Sequence, residues 1–314
     1  MPQKKITDYR TDFLEYCEVE KGLRPLSVQN YARFLDKFFH WLKINKLNIV
    51  PQNLSEDHIW KYRLWLSRTR DTHSSRPLTP ATQAYYLIAL RAFLRFFSER
   101  NIETLGPEKV KLPKEQRSHT IKFLTLDQVK ELIEAPKTQT TSGLRDRAIL
   151  ETLFSTGLRV SELAGLDRAL IQSRIEKDEK DLEVVITGKG GHTRTVYFSE
   201  RATEWIKKYL TKRKDDEKAL FINYKGKASH KRLTPRSVQL LVQKYSKIAS
   251  IPFLATPHTL RHSYATDLLN QGVDLRAIQE FLGHRNIATT QVYTHVTSKR
   301  LRDIHRKFHG GGKI

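Results

Sequence analysis

Apolar residues in the first hundred positions recur at the spacing of an amphipathic helix. In SVQNYARFLDKFFHWLK, the residues Tyr31, Phe34, Leu35, Phe38 and Leu42 stand at i, i+3, i+4, i+7 and i+11. This spacing predicts one buried helix face. Three further segments have the same form: DYRTDFLEYCEVEKG, SEDHIWKYRLWLSR and TPATQAYYLIALRAFLRFFSER. Because short connections join these segments, the pattern predicts a compact bundle of four helices.

Residues typical of helix ends flank these four segments. Ser27, Ser55 and Thr79 precede apolar runs and are predicted N-caps, since their hydroxyl oxygens can accept a free backbone N–H. Pro80 falls at the first helical position, where its fixed backbone angle suits the helix. Gly22 is a predicted stop for the first helix.

The helical pattern is interrupted after residue 105. The stretch ETLGPEKVKLPKEQRSHTIKF has two prolines, several charges and little periodicity. We interpret residues 106–119 as a linker between a domain at 1–105 and a second domain at 120–314.

The second domain is predicted to be mostly helical, with one small antiparallel sheet. Thr125 and Gln128 have the spacing of a capping box, and a helix is predicted to break at Gly157. DLEVVITGKGGHTRTVYF alternates, is rich in β-branched residues and turns at 188–191, which predicts a hairpin. A charge-rich loop is expected after Ile171. The fold class is therefore mainly α, in two domains.

The charge of the chain favours a polyanionic partner. Its 314 residues include 56 Lys and Arg against 34 Asp and Glu, a net charge of +22. This excess is spread along the whole chain without a lipid-anchor motif, which favours nucleic acid over a membrane surface. We find no signal peptide and no apolar run near the roughly 20 residues that span a bilayer. Cys17 is the single cysteine, so a disulfide framework is excluded and a cytoplasmic location is expected.

The stretch PHTLRHSYATDLL has two histidines four residues apart and an arginine between them. His258 and His262 resemble a zinc pair, but Thr259 stands where a metalloprotease helix has its glutamate, and Arg261 would repel the metal. A phosphate site suits these residues better. The preceding Thr-Pro pair predicts a helix start, where free N–H groups attract anions, and His258 and Arg261 share a face. His262 is then a structural residue.

Three other segments are suggestive only in combination. GKGGHTR around Lys189 lacks the Ser or Thr and the spacing of a phosphate-binding P-loop. TGLRVSEL carries Arg159 at a helix start, and LGHRNIATTQVYTHV carries His284 and Tyr293. In their order along the chain, TGLRVSEL, TGKGG, PHTLRHSYAT and LGHRNIATTQVYTHV, these segments resemble the tyrosine recombinase, or phage integrase, family, and within it the Xer-like recombinases.

The resemblance covers the whole chain and implies a six-residue active site. LSVQNYARFLDKFFHWL resembles the family's helical, SAM-like core-binding domain, and the second domain resembles its mixed α/β catalytic domain. The implied catalytic residues are Arg159, Lys189, His258, Arg261, His284 and the nucleophile Tyr293.

The implied reaction is site-specific cutting and rejoining of DNA strands through a 3′-phosphotyrosine and a Holliday junction. It needs no cofactor, metal or ATP. Arg159 and Arg261 are expected to hold the phosphate, and Lys189 to protonate the leaving oxygen. His258 is our candidate base and His284 a donor to the transition state, although their division of roles stays open.

The resemblance implies a double-stranded DNA recombination site as partner and no membrane. KRLTPRSVQLLVQKY offers Lys231, Arg232 and Arg236 as DNA-binding residues. The terminal SKRLRDIHRKFHG has an apolar stripe at Leu301, Ile304 and Phe308, and in this family such a helix docks on a neighbouring subunit of a tetramer. Packing on its own domain is the alternative, and the need for an accessory protein is open.

The implied role is chromosome or plasmid dimer resolution by a nucleoid-associated enzyme. Alternatives are a mobile-element integrase, a type IB topoisomerase-like enzyme that relaxes DNA, and a non-catalytic DNA-binding protein. The helix after Tyr293 favours a recombinase over a topoisomerase. The complete six-residue set disfavours a protein that only binds DNA. Two departures, LDRALI after Leu166 and the charge-rich stretch after Ile171, bear on sequence specificity rather than on chemistry.

Overall fold

The chain divides into two compact units, residues 1–118 and 119–314. The structure is a computed structural model that describes residues 4–71, 75–113, 122–175, 182–188, 191, 193–226 and 229–283. Lys189, His284, Tyr293 and the apolar stripe of the terminal segment lie outside the described residues. Among the described residues, no helix is both long and apolar enough to cross a membrane.

The first unit contains the four predicted helices. These are α1 (Arg10–Val19), α2 (Pro25–Ile44), α3 (Glu56–Arg68) and α4 (Pro80–Glu99). Single 3-10 turns lie at Ile6–Tyr9, Pro51–Asn53 and Pro107–Lys109.

Most of the predicted helix ends are confirmed. The hydroxyls of Ser55 and Thr79 accept backbone N–H groups three residues on. Gly22 has the left-handed backbone of a helix stop. The prediction of Ser27 as an N-cap is wrong, because α2 already begins at Pro25 after an extended Arg24. Proline at the first helical position has its backbone angle fixed for the helix, and this overrides the serine signal.

An aromatic core holds the first unit together. Phe13, Phe38 and Phe93 are fully buried, and the ring centroids of Phe13 and Phe93 lie 5.2 Å apart. Tyr31 and Phe34, which the pattern placed inside, are only half-buried. The Phe13 and Phe93 rings meet edge to face, and this contact adds to the free energy gained by burying the two rings.

The N-terminal part of the predicted linker packs on the first unit. Val110 is completely buried in the aromatic core, and its carbonyl accepts a 2.5 Å hydrogen bond from Arg91 Nη2. Residues 106–112 are therefore attached to the bundle, and residues 114–119 lie outside the described part of the chain.

The second unit is helical around one hairpin. Its helices are α5 (Leu126–Glu134), α6 (Thr141–Thr156), α7 (Val160–Gly165), α8 (Arg168–Ile175), α9 (Glu200–Lys212), α10 (Pro235–Ile248), α11 (Pro257–Gln271) and α12 (Leu275–Leu282). The expected loop after Ile171 is wrong as far as Ile175, since α8 occupies these positions. The side chain of Ile171 is buried there, and this packing outweighs the charged composition.

The hairpin is the predicted antiparallel sheet. Strands β1 (Leu182–Thr187) and β2 (Thr193–Phe198) pair with Leu182 opposite Phe198 and Thr187 opposite Thr193. Alternate side chains of β1 are buried in the core of the unit. The two-domain, mainly helical architecture with a small antiparallel sheet is confirmed.

Candidate active site

A left-handed glycine brings α6 into the turn that carries Arg159. Gly157 has φ 59°, and a Cβ there would lie 2.6 Å from Cδ1 of Tyr264. Both the angle and the lack of space require glycine. The chain then extends through Arg159, the residue just before α7.

Glu162 fixes the guanidinium of Arg159. It lies one turn into α7, accepts the backbone N–H of Arg159 at 2.8 Å, and accepts Arg159 Nη1 at 2.9 Å. A second arginine, Arg194 on β2, forms a two-pronged pair with the same carboxylate at 3.0 and 2.7 Å. Burial raises the pKa of Glu162, but the hydrogen bonds from Arg194 and Arg159 outweigh it and hold the pKa at about 2.

The first turns of α11 carry His258 and Arg261. Thr256 and Thr259 form a reciprocal capping box, and Pro257 occupies the first helical position, as predicted. Arg261 is only 4% exposed. It donates from Nη1 to the carbonyl of Gly157 at 2.6 Å and from Nη2 to that of Leu282 at 2.5 Å.

Three arginines meet the carboxyl end of α12. Arg194 Nε donates to the carbonyl of Phe281 at 3.1 Å, Arg261 to that of Leu282, and Arg159 Nη2 to that of Gly283 at 3.0 Å. These carbonyls have no partner within their own helix, and the end of a helix carries partial negative charge. The three cations therefore bind the end of α12 from three different elements.

The structure thus brings Arg159 and Arg261 to one place, with His258 in their positive field. Partial burial lowers the pKa of His258 first, and the charges of Arg261 and Arg159 lower it further. The imidazole is therefore neutral at neutral pH and is able to accept a proton. His284 follows Gly283 directly in the chain, but His284, Lys189 and Tyr293 lie outside the described residues.

His262 lies deeper in the unit than His258, in keeping with its structural interpretation. Burial lowers its pKa to about 4, with smaller contributions from His258 and Arg261. The folded protein therefore favours the neutral imidazole, whereas the unfolded chain binds a proton near pH 6.5.

Acidification is expected to destabilise the second unit through His262. The free energy of unfolding should fall as pH drops from about 6.5 towards 4, because only the unfolded chain readily takes up the proton. Urea unfolding at several pH values measures this, with His262→Gln beside the wild type. The variant should lose less stability over that interval. An equally steep loss in His262→Gln would contradict the assignment.

The three predicted DNA-binding residues differ in their surroundings. Lys231 and Arg236 are exposed, and Arg236 donates to Gln239 one turn along α10. Arg232 instead donates from Nη1 to the carbonyls of Ala164 and Leu166, both at 2.9 Å, and from Nη2 to Asp167. Its guanidinium thus holds the carboxyl end of α7, the helix that follows Arg159, and its role in DNA binding stays a prediction.

This difference predicts distinct effects for Arg232→Ala and Arg236→Ala. Arg236→Ala should reduce the salt dependence of DNA binding, with the slope of log K against log salt falling by about one. Arg232→Ala should mainly lower the melting temperature, because the carbonyls of Ala164 and Leu166 and the carboxylate of Asp167 each lose one hydrogen bond. Salt titrations of binding and thermal melts of both variants measure this. A reduced salt slope in Arg232→Ala without a lower melting temperature would contradict a mainly structural role for Arg232.

Two residues of this cluster were missed in the sequence. Glu162 had a signal, because RVSE places a glutamate at the third helical position after Arg159, where it caps the backbone. Arg194 had no signal in the sequence beyond the alternation of its strand, since only the fold brings β2 beside α7 and α12. Among the described residues there is no group of three His, Cys, Asp or Glu able to hold a metal ion.

The chain belongs to the phage integrase family. Residues 122–300 match the phage integrase family itself, and residues 11–101 match the SAM-like N-terminal domain of phage integrases. Within the family it is a tyrosine recombinase of the Xer type, as its relatives show.

The relatives match the chain over nearly its whole length. It is 37% identical to the tyrosine recombinase XerC of Pelotomaculum thermopropionicum, over 96% of this chain and 98% of that protein. It is 34% identical to the tyrosine recombinase XerD of Lacticaseibacillus casei, again over 96% and 98%. The crystal structure of the XerH site-specific recombinase bound to palindromic difH substrate has a similar fold, with a TM-score of 0.70 and 22% identity over 94% of this chain and 83% of that one.

Proposed function

We propose that this recombinase cuts and rejoins double-stranded DNA at a specific site through a covalent 3′-phosphotyrosine and a Holliday junction. The observation that carries the proposal is the meeting of Arg159 and Arg261 at the end of α12. The next residue in the chain is His284, and the tyrosine of the YTHV motif follows nine positions later. We assign catalysis to Arg159, Lys189, His258, Arg261, His284 and Tyr293.

The two arginines bind the scissile phosphate. Each has five N–H donors in a planar fork suited to phosphate oxygens. Fixed cations stabilise the charge of a phosphoryl-transfer transition state without reorganising during the reaction. Their bonds to Glu162, Gly157 and the end of α12 hold them in place before DNA arrives. This arrangement supplies the charge stabilisation that other nucleases obtain from metal ions.

Proton transfer completes each step. A free tyrosine has a pKa near ~10, so Tyr293 needs a base to attack, and we assign this role to His258, whose lowered pKa leaves the imidazole unprotonated at neutral pH. Lys189, which lies between β1 and β2 in the sequence, protonates the 5′-oxygen as it leaves. His284 donates to the transition-state phosphate. The phosphotyrosine ester conserves the energy of the broken bond, so a 5′-hydroxyl reseals the strand without ATP.

The biological substrate we propose is a chromosomal or plasmid recombination site. The XerC and XerD relatives match over almost their full lengths, which supports an Xer-like role in dimer resolution over mobile-element integration. The enzyme then acts on the nucleoid in the cytoplasm, where its net charge of +22 favours DNA.

We further propose a tetramer in the synaptic complex, formed through the C-terminal segment. A groove of about 840 Å³ on the second unit is lined by apolar side chains of α5, α6, β2, α11 and α12, with the charged residues Lys130, Glu151, Arg201 and Asp267 among them. Its apolar lining suits the apolar stripe of SKRLRDIHRKFHG from a second copy. Sedimentation with two duplex sites tests this. The full chain should form a tetramer and a chain ending at Thr297 should not; a tetramer of the shortened chain would refute it.

A plasmid assay without metal separates the three candidate functions. A supercoiled plasmid with two directly repeated copies of a site selected for binding is incubated with protein in EDTA. The proposal predicts two smaller circles. Relaxation without exchange would indicate a topoisomerase-like enzyme, and unchanged supercoiled DNA despite binding would indicate a protein that only binds.

A further inference from the structure

We propose that Arg194 is a positioning residue for the phosphate clamp, the pair of phosphate-binding arginines Arg159 and Arg261. It holds Glu162, and through Glu162 the catalytic Arg159, while it fixes the last turn of α12. This inference rests on the proposed function, because it assigns Arg194 a part in the same reaction.

All three nitrogens of the Arg194 guanidinium are engaged with the protein. Nη1 and Nη2 donate to the two oxygens of Glu162 at 3.0 and 2.7 Å, and Nε donates to the carbonyl of Phe281 at 3.1 Å. The side chain is 10% exposed. Its fork therefore faces Glu162 and α12, and these contacts carry the positioning role that we assign to it.

Glu162 transmits the position of Arg194 to Arg159. Its Oε1 accepts from both Arg159 Nη1 and Arg194 Nη1, and its side chain is 5% exposed. A buried carboxylate shared by two cations has a fixed geometry, since each cation balances the pull of the other. Without Arg194, Glu162 would bond Arg159 alone and draw its fork away from the phosphate.

The end of α12 gives independent support. Gly283 has φ 62°, and a Cβ there would lie 2.9 Å from Cδ and 3.1 Å from Nη1 of Arg194. The glycine that precedes His284 is thus required partly because Arg194 lies against it. The Tyr197 and Phe281 rings, 6.0 Å apart, add a second contact between β2 and α12.

Arg194→Gln, with Arg201→Gln as its matched control, tests the inference. Arg201 also pairs with a buried glutamate, Glu151, at 2.9 Å, and its hydrogen bonds go to Glu151 rather than to Glu162 or α12. Because Arg201 lines the groove proposed for a second copy, the substrate is a half-site that binds one protomer. Both variants lose one positive charge. Affinity for uncleaved duplex should be equal in the two. Single-turnover adduct formation on a nicked suicide substrate should be on the order of a hundredfold slower in Arg194→Gln alone, the cost of a small misplacement of reacting groups.

A second substrate distinguishes a defect in the phosphate clamp from a defect in the general acid, Lys189. A 5′-bridging sulfur leaves as a thiolate with a pKa near ~8.5 and needs little protonation. It should restore cleavage by Lys189→Ala but not by Arg194→Gln. If the sulfur substrate also restored cleavage by Arg194→Gln, Arg194 would act through Lys189, and the inference would be overturned.

A double-mutant cycle tests the route through Glu162. In a Glu162→Gln background, Arg194→Gln should slow cleavage little further, because the shared carboxylate is already lost. Arg194→Lys, which keeps the charge but loses the fork, should fold and cleave at an intermediate rate. Independent, additive effects of the two glutamine substitutions would refute this route.

The two proposals fail in different ways. A wild type without any adduct would refute the proposed function and this inference together. An active wild type with Arg194→Gln as fast as Arg201→Gln would refute the inference alone.

Discussion

Exchange of Tyr293 for phenylalanine is expected to abolish the covalent protein–DNA adduct and leave DNA binding intact. The substitution removes one oxygen, the atom that attacks the phosphate, and keeps the ring. No other group of the proposed site can form a stable phosphoester at that point. A denaturing gel of the protein with a nicked suicide substrate measures the adduct, and gel shift of an uncleaved duplex measures binding.

Tyr197→Phe is a matched control for this experiment. Tyr197 is on β2, is 47% exposed, and has no assigned role in the chemistry. It should form adduct at the wild-type rate. An adduct that persists in Tyr293→Phe would remove Tyr293 from its role as nucleophile.

Replacing either clamp arginine by lysine is expected to slow adduct formation on the order of 10²–10³-fold, as loss of one donor to a developing oxyanion does. Lysine keeps the charge but loses the planar fork. The two variants should differ in stability. The side chain of Arg159 is 28% exposed, so the melting temperature of Arg159→Lys should be close to that of the wild type.

Arg261→Lys should also lower the free energy of unfolding by about 1–3 kcal/mol, which is the cost of leaving a buried acceptor without its donor. The carbonyls of Gly157 and Leu282 share this guanidinium, and one ammonium cannot reproduce both bonds. Single-turnover cleavage and urea unfolding of both variants measure the two effects. Equal stability losses would contradict the added structural role of the buried Arg261, and wild-type cleavage by either variant would contradict the assignment of that arginine to the phosphate.

The sequence predicted the elements well wherever local chemistry determines them. The caps at Ser55, Thr79 and Thr256, and the break at Gly157, depend on neighbours within a few residues, so the pattern was sufficient. Ser27 failed because a proline two residues earlier is an equally local but stronger signal. The prediction of a loop after Ile171 failed, because the helix at Arg168–Ile175 depends on burial of Ile171 by distant parts of the chain.

The candidate site shows the same division. The motifs around Arg159 and Arg261 were readable because each has its own local signature and their order resembles a known family. The structural contacts of Arg194 and Arg232 could not be predicted, since their partners lie 32 to 87 positions away along the chain. Contacts of that range depend on how helices and strands pack, which spacing alone does not encode.

Identification of the residue that joins protein to DNA tests the central claim most directly. The wild-type protein is incubated in EDTA with an end-labelled suicide duplex, the adduct is digested, and the DNA-linked peptide is sequenced by mass spectrometry. We predict a 3′-phosphate bonded to the oxygen of Tyr293 and a free 5′-hydroxyl on the released strand. An adduct at another residue, a 5′ linkage, or no adduct unless a divalent metal is added would contradict the account.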